Sequence, residues 1–482
     1  MIYKLAIALL LVANLAKAQT PFVPIDSNNT GLGIVIPSNL KYQILFSEGD
    51  AVQYQIDKTA TAKGDHDYNC FIPDAGSSER GQLYVSHEGN DTSTALGDGG
   101  GATVLGVEKN ANQWKVTSST NVDFSSVGGT IGNCSGTLTA NKTILTSEEF
   151  PPSSNKELYR KGKGFRDTSN FGNLRRWQNM GWMVEADIVS KKSLRKLYQM
   201  GRFSHEGALT LADNKTVFLT DDYSPSVFFK FVAHTPNDFS TGQLYAYQQS
   251  SDGNSGTWLK LPMAMDSLVI AREVALRMGA TFFLRMEWIT MVDGKIYISE
   301  TGTDHFEYNS KNCFAAKPAK HLQTMELPST KSKIIDYPFG AVLVMDLENN
   351  SIKPHILAGD GIKDKGKHFA NPDGITFCKQ NGHTYLVINE DIIGLGNNRV
   401  SATSAKMKRY INEIWWLDLS IKNPTTDDLQ RFIIAPAGAE TTGGYFTPDF
   451  KNYFVNIQHP SSKNASPWNK SCTIVVTGFM VR

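Results

Sequence analysis

After its first twenty residues this 482-residue chain has no apolar run approaching the ~18 residues a membrane-spanning helix needs. It has no C-x-x-C pair, which removes zinc-ribbon and thioredoxin chemistry. It also has no surplus of charge: 48 basic residues stand against 47 acidic ones, a net +1. Nothing in that balance favours nucleic acid or an anionic membrane as a partner. Proline is sparse beside glycine, 19 against 40, which fits a chain of many tight turns. Helical patterning is confined to SKKSLRKLYQM (190–200) and DSLVIAREVALRMG (266–279), both expected to be helical decorations.

The opening MIYKLAIALLLVANLAKAQT has one early lysine, an apolar run and an A-K-A cleavage site, but no twin arginine. Residues 1–18 are therefore expected to be a Sec-type signal peptide. The mature chain, 19–482, is expected to be one periplasmic or secreted domain. Losing Lys4 and Lys17 leaves 46 basic residues against 47 acidic, a net −1.

Five cysteines, Cys70, Cys134, Cys313, Cys378 and Cys472, are an odd number for an oxidising compartment, so at least one lacks a disulfide partner. Cys134 sits in GTIGNCSG, a Gly/Ser/Thr-rich loop. Disulfide, buried filler and metal ligand all remain open for it on this ground alone.

One phrase recurs six times: an apolar strand ending in polar or acidic residues. The copies are LYVSHEGN, TILTSEEF, VFLTDDYS, IYISETGT, YLVINEDI and YFVNIQHP. Each is followed by a second apolar strand, from TVLGVEK to TIVVTGF. Such radial repetition predicts an all-β, six-bladed β-propeller with long insertions. If the recurring phrases are the innermost strands, their polar ends meet at one channel mouth. That places His87, Glu88, Glu148, Glu149, Asp221, Asp222, Glu300, Glu390, Asp391 and His459 there. Clustered carboxylates repel, by roughly 4 kcal/mol per close pair at an effective dielectric near 20. They must take protons or bind cations, and oxygen ligands in number suit Ca²⁺.

Further segments stand out: GDHDYNCFIPD, GNCSG with LTSEE, GRFSHEGA, LRMEWI, FANPDGITF and APAGAETTGGYFTPDFKNYFVNIQHP. In this order they resemble the PhoX-type alkaline phosphatases, from about Gly64 to Pro460. The resemblance implies a six-bladed propeller that hydrolyses small phosphate esters outside the cytoplasm, using Fe³⁺ and Ca²⁺. It implies that Cys134 is a thiolate ligand to iron. It implies that Glu206, Glu287, Asp373 and Glu440 are metal carboxylates, that Glu149 is a calcium ligand, and that Asn133 and Arg285 face the phosphate. Glu88, Glu148, His205, Asp221, Asp222, Glu390 and His459 are further candidates for the metal site or its surroundings; Asp67 and Glu88 lie in a family-like segment without an assigned role. The chain departs from the family pattern at Thr137–Asn141, where a second Gly and a Trp are usual, and at Met286, where Pro is usual.

The chemistry is coherent with those residues. Hydrolysing a phosphate dianion needs charge neutralisation and a nucleophile at neutral pH, both of which clustered cations supply. A guanidinium suits planar recognition of phosphate oxygens, and thiolate separates an iron position from calcium ones. Calcium-dependent propeller hydrolases of another kind (lactonase or phytase-like) and a non-catalytic calcium-binding propeller are the competing readings. A monomer without nucleic-acid or membrane partners is expected.

Overall fold

Strands buried on both faces dominate the chain. Along Tyr385–Glu390 every residue is buried, and alternate side chains enter different cores. Leu386 and Ile388 pack with Trp415 and Leu417 on one side, while Tyr385 and Val387 pack with Ile414 and Trp416 on the other. The same division recurs in the sheet carrying Tyr453, Val455 and Ile457, whose Phe454 faces Phe71, Leu83 and Val85 of another sheet. Such sheets are sandwiched between neighbours, which explains why their strands read as continuous apolar runs rather than as clean alternation.

The computed structural model describes residues 20–25, 33–160, 165–359, 369–392 and 411–480. The expected signal peptide, 1–18, lies outside the described residues. No described helix is long and apolar enough to cross a membrane.

The fold is nearly all β. Six sheets of four to six strands follow one another along the chain. Their first strands are His66–Pro73, Asn133–Leu138, His205–Thr210, Met286–Val292, Pro372–Gln380 and Glu440–Phe446. Each of these packs on the next, and the last packs back on the first. The sixth sheet takes its outer strand from the other end of the chain: Lys41–Ser47 pairs antiparallel with Cys472–Thr477. Ladder hydrogen bonds therefore tie the two ends of the chain together, leaving no first or last sheet to peel away.

Two expectations are corrected here. The six recurring phrases are not the innermost strands. Strands Arg80–Asp91, Thr143–Glu148, Thr216–Asp221, Lys295–Glu300, His383–Glu390 and Asn452–Gln458 each lie second, hydrogen-bonded to the first strand of their sheet. Their apolar regularity reflects burial between two sheets, whereas the central strands are broken by polar residues and read poorly as strands. The segment 190–200 is mainly strand, Lys192–Lys196, with only a short 3-10 turn at Tyr198–Met200. Its burial alternates over Lys192–Leu194, pairing against Met183–Asp187, so a period near two prevails over the helical one. The segment 266–279 is helical as expected, in two pieces, Met265–Leu268 and Ala271–Arg277.

Trp416 is fully buried where sheets five and six meet, among Phe22, Tyr385, Phe432, Phe446 and Phe479. Trp416→Ala is expected to lower the unfolding free energy by about 3–5 kcal/mol. Urea unfolding checks this, and an unchanged midpoint would place the tryptophan elsewhere.

Candidate metal centre

A break in the ladder, repeated from sheet to sheet, makes the site. In five sheets the first and second strands pair once, then lose register before pairing resumes three residues on. The breaks fall between His66 and Asn69, Asn133 and Gly136, His205 and Ala208, Met286 and Ile289, and Pro372 and Ile375. A bulge of this kind re-aims the side chains within it. The residue just inside each break is Asp67, Cys134, Glu206, Glu287 or Asp373. These five side chains converge: the ligand atoms of Asp67, Cys134 and Glu206 lie within 4.8 Å of one another, as do those of Glu206, Glu287 and Asp373.

The sixth sheet departs from this pattern in an instructive way. Its break comes at Thr442, so the matching residue is Gly443, with φ of +73°. A Cβ there would stand 2.1 Å from the carbonyl oxygen of Asp67, so only glycine fits. Glu440, two residues before the break, supplies a carboxylate instead and groups with Asp391 and His459.

The second strands contribute through the residue after their last paired one. Glu88 and Glu149 group with Cys134, and the Cys134 thiol donates to Glu149 Oε2 at 2.9 Å. Asp222 and Asp391 flank Arg285, at 2.9 Å and 4.0 Å, and the guanidinium also lies 3.0 Å from Glu287 Oε1. Arg285 itself has φ of +59°, a left-handed conformation rare for a residue of its kind. Nine carboxylates, Asp67, Glu88, Glu149, Glu206, Asp222, Glu287, Asp373, Asp391 and Glu440, thus surround one thiol, one guanidinium and one imidazole.

The alternation of a strand decides which expected residues arrive. Glu148, Asp221 and Glu390 precede those positions by one residue and turn away. Glu148 pairs with Lys196 Nζ at 2.7 Å, both side chains fully buried, and accepts from the Trp182 amide. Asp221 meets Arg272 at 3.0 Å. Glu390 accepts from the amides of Ala370 and Glu413. His205 bonds the Gly201 carbonyl through Nε2 at 2.8 Å and stacks on Phe203. Asn133 directs its amide at Thr146, 3.4 Å away, with Oδ1 beside Gly100. His459 does arrive, 3.1 Å from Glu440 Oε2. Asp391, expected at the channel mouth, does arrive, and Asp67 belongs to the cluster without having been assigned a place in it. Asp67 shares its phase with Cys134 and Glu206, a signal visible only once the ladder breaks are aligned.

Burial and crowding set the protonation. Burial pushes Asp67 from 3.8 up to about 7, opposed by a 2.7 Å hydrogen bond from Thr442. Burial, then Asp67, push Glu88 from 4.5 up to about 8, although the Gln458 amide donates to it. Glu149, Glu206, Glu287, Asp373 and Glu440 all rise well above the ordinary carboxylate range, through burial first and mutual repulsion second. The Cys134 thiol is pushed well up by burial and by Glu149.

This donor set fits cations. Buried Asp373 Oδ1 and Asp391 Oδ1 receive no hydrogen bond among the described residues, a costly state that a cation relieves. A thiol so surrounded becomes a thiolate only beside a metal. All five cysteines are buried and free, so Cys134 is not held in a disulfide.

A cleft of about 1100 Å³ lies elsewhere, lined by Tyr54, Asp98, Phe165, Phe171 and Arg176 among others. Its buried Arg176 is already engaged by Asp167 and by the carbonyls of Gly128 and Ser169. Shape favours that cleft, but the concentration of unsatisfied charge favours the cluster, and chemistry follows charge.

Residues 106–461, well over half the chain, match the family described as Alkaline phosphatase PhoX. The fold resembles that of Pseudomonas fluorescens PhoX, solved in complex with vanadate, a transition state analogue. The TM-score is 0.70 at 20% identity, covering 95% of this chain and 98% of that one. A Trypanosoma rangeli sialidase in complex with the inhibitor DANA is more distant, with a TM-score of 0.41 at 9% identity, covering 92% of this chain and 60% of that one. No curated protein matches the chain.

Raised carboxylates fix the sign of a pH effect. The folded chain retains protons that the unfolded chain releases, so metal-free stability is greatest at low pH and falls as pH climbs. For Asp67 and Glu88 the loss runs from 3.8 and 4.5 to about 7 and about 8. EDTA-treated protein is expected to melt at progressively lower temperature between pH 5 and pH 8, with Ca²⁺ reversing the loss. A flat profile that ignores Ca²⁺ would contradict the crowding.

Proposed function

The chain belongs to the PhoX alkaline phosphatase family, and on that premise we propose that it hydrolyses phosphate monoesters at a cluster of iron and calcium ions. The single observation that carries this reading is the convergence of a thiol and carboxylates from all six sheets beside Arg285. Cys134 would hold iron, with Asp67, Glu88, Glu149 and Glu206 as oxygen donors beside it. Glu287, Asp373 and Glu440 would hold calcium, with Asp391 and His459 completing the surroundings. The six sheets, each packed on the next, are the blades of a propeller, and the ions sit where its first strands begin.

Nine clustered carboxylates, seven of them buried, repel a phosphate dianion, so the ester binds only when cations stand between them. Once bound, Fe³⁺ and Ca²⁺ supply Lewis-acid polarisation of the ester and a lowered pKa for water. The chain's own part is orientation and charge. Asp222 and Glu287 hold Arg285 from two sides, so its guanidinium is presented as a fixed planar donor for phosphate oxygens. Its left-handed backbone aims it from the turn ahead of Glu287. Asn133, whose amide is directed at Thr146, has no part against the substrate in this reading. Burial of the ligand side chains keeps bulk water from screening these interactions.

Export is part of the same proposal, supported by the sequence of residues 1–18. Small phosphate esters are the substrates.

Hydrolysis of p-nitrophenyl phosphate tests the reading. Cys134→Ala and Glu287→Ala are each expected to lower turnover by more than about a hundredfold, exceeding the effect typical of outer-shell changes. The native protein should show a visible thiolate-to-iron absorption band, absent from Cys134→Ala. Turnover indifferent to both substitutions would overturn the proposal. Turnover without the band would point to a calcium-only hydrolase.

A further inference from the structure

Several residues read above as ligands share a weakness: they lie inside ladder breaks. Cys134 pairs with no residue of the second strand, and neither do Glu287 or Asp373. Ladder hydrogen bonds therefore hold the chain on either side of each ligand but not at it. Something else must fix the backbone that leads in.

Three buried acids that point away from the cluster do this in the same way. Each ends a second strand and pairs with the residue just before a ligand: Glu148 with Asn133, Glu300 with Met286, Glu390 with Pro372. Each accepts a hydrogen bond from the backbone N–H three residues ahead of that ligand. Ile131 donates to Glu148 at 3.2 Å, Leu284 to Glu300 at 2.9 Å and Ala370 to Glu390 at 3.0 Å. The second oxygen of each is tied elsewhere: Glu148 to the amides of Gly181 and Trp182, Glu390 to that of Glu413, Glu300 to His321 Nε2 at 2.7 Å. The carboxylate thus bridges the incoming loop to a second part of the fold.

We propose that Glu148, Glu300 and Glu390 are positioning residues, which clamp the loops leading into Cys134, Glu287 and Asp373 rather than binding ions themselves. The recurrence of one bond at one spacing in three sheets separates this from incidental satisfaction of a buried acid. Sheet three does without it. There Asp221 takes the Val227 amide and Arg272, while the Phe203 amide goes to the Gly181 carbonyl. The proposal rests on reading Cys134, Glu287 and Asp373 as ligands.

The test uses the full-length protein depleted of metal, with iodoacetamide labelling of each cysteine followed by peptide mass spectrometry. Glu148→Gln puts an NH₂ where amide donors converge and should open the Cys134 loop. Labelling of Cys134 is expected to rise about tenfold or more over wild type, while the other four cysteines stay unchanged. Glu390→Gln serves the Asp373 loop and should leave Cys134 labelling within about twofold of wild type. Glu148→Asp keeps the charge facing Lys196 on a shorter arm and should fall between, which keeps the test open if Glu148→Gln misfolds. No rise in either Glu148 variant, or an equal rise with Glu390→Gln, would overturn the proposal. Absence of phosphatase activity in wild type would remove the proposed function and leave this contrast standing.

Discussion

Carboxylates crowded at one place repel one another, and the fold is organised around that repulsion. Nine acids share one volume with a single guanidinium, and seven of them are buried away from the water that would screen them. Such an arrangement persists only with protons or cations in its midst. The surrounding fold counters that repulsion: six sheets packed in a circuit, with Lys41–Ser47 zipped onto the sixth, so the strands that carry the acids cannot spread. A closed circuit of rigid sheets can impose a crowding that a loop-built site would relieve by moving.

Geometry within that circuit is set by one backbone device. A ladder break just inside each first strand turns Asp67, Cys134, Glu206, Glu287 and Asp373 inward while the ladders on both sides stay intact. Parity then divides the acids of the second strands. Glu149, Asp222 and Asp391 join the cluster; Glu148, Asp221 and Glu390, one residue earlier, bind backbone amides, buried Lys196 and half-buried Arg272. Adjacent acids in TSEEF, TDDYS and INEDI therefore face opposite ways, one into the cluster and one into the fold.

Much of this was legible in the chain, for physical reasons. Six repeats of one apolar phrase signal six sandwiched strands, because burial on both faces writes itself as unbroken hydrophobic sequence. Cys134, Glu206, Glu287 and Glu440 stand out through the family resemblance, and the three glutamates also because acids in apolar contexts demand partners. The innermost strands were misplaced by one, since strands such as HEGALT and ETTGGYF carry the site and look least like strands. Phase was also illegible: nothing in the pair Glu148-Glu149 says which faces inward until the register is known. Asp67 was missed as a member for the same reason, and Asn133 was expected at the phosphate only through the family resemblance.

If these converging side chains are ligands, elemental analysis of the protein as purified, without chelator, finds iron and calcium together, with iron lost from Cys134→Ala while calcium remains. Calcium alone in the native protein would contradict the role given to Cys134, and no bound metal of either kind would contradict the centre itself.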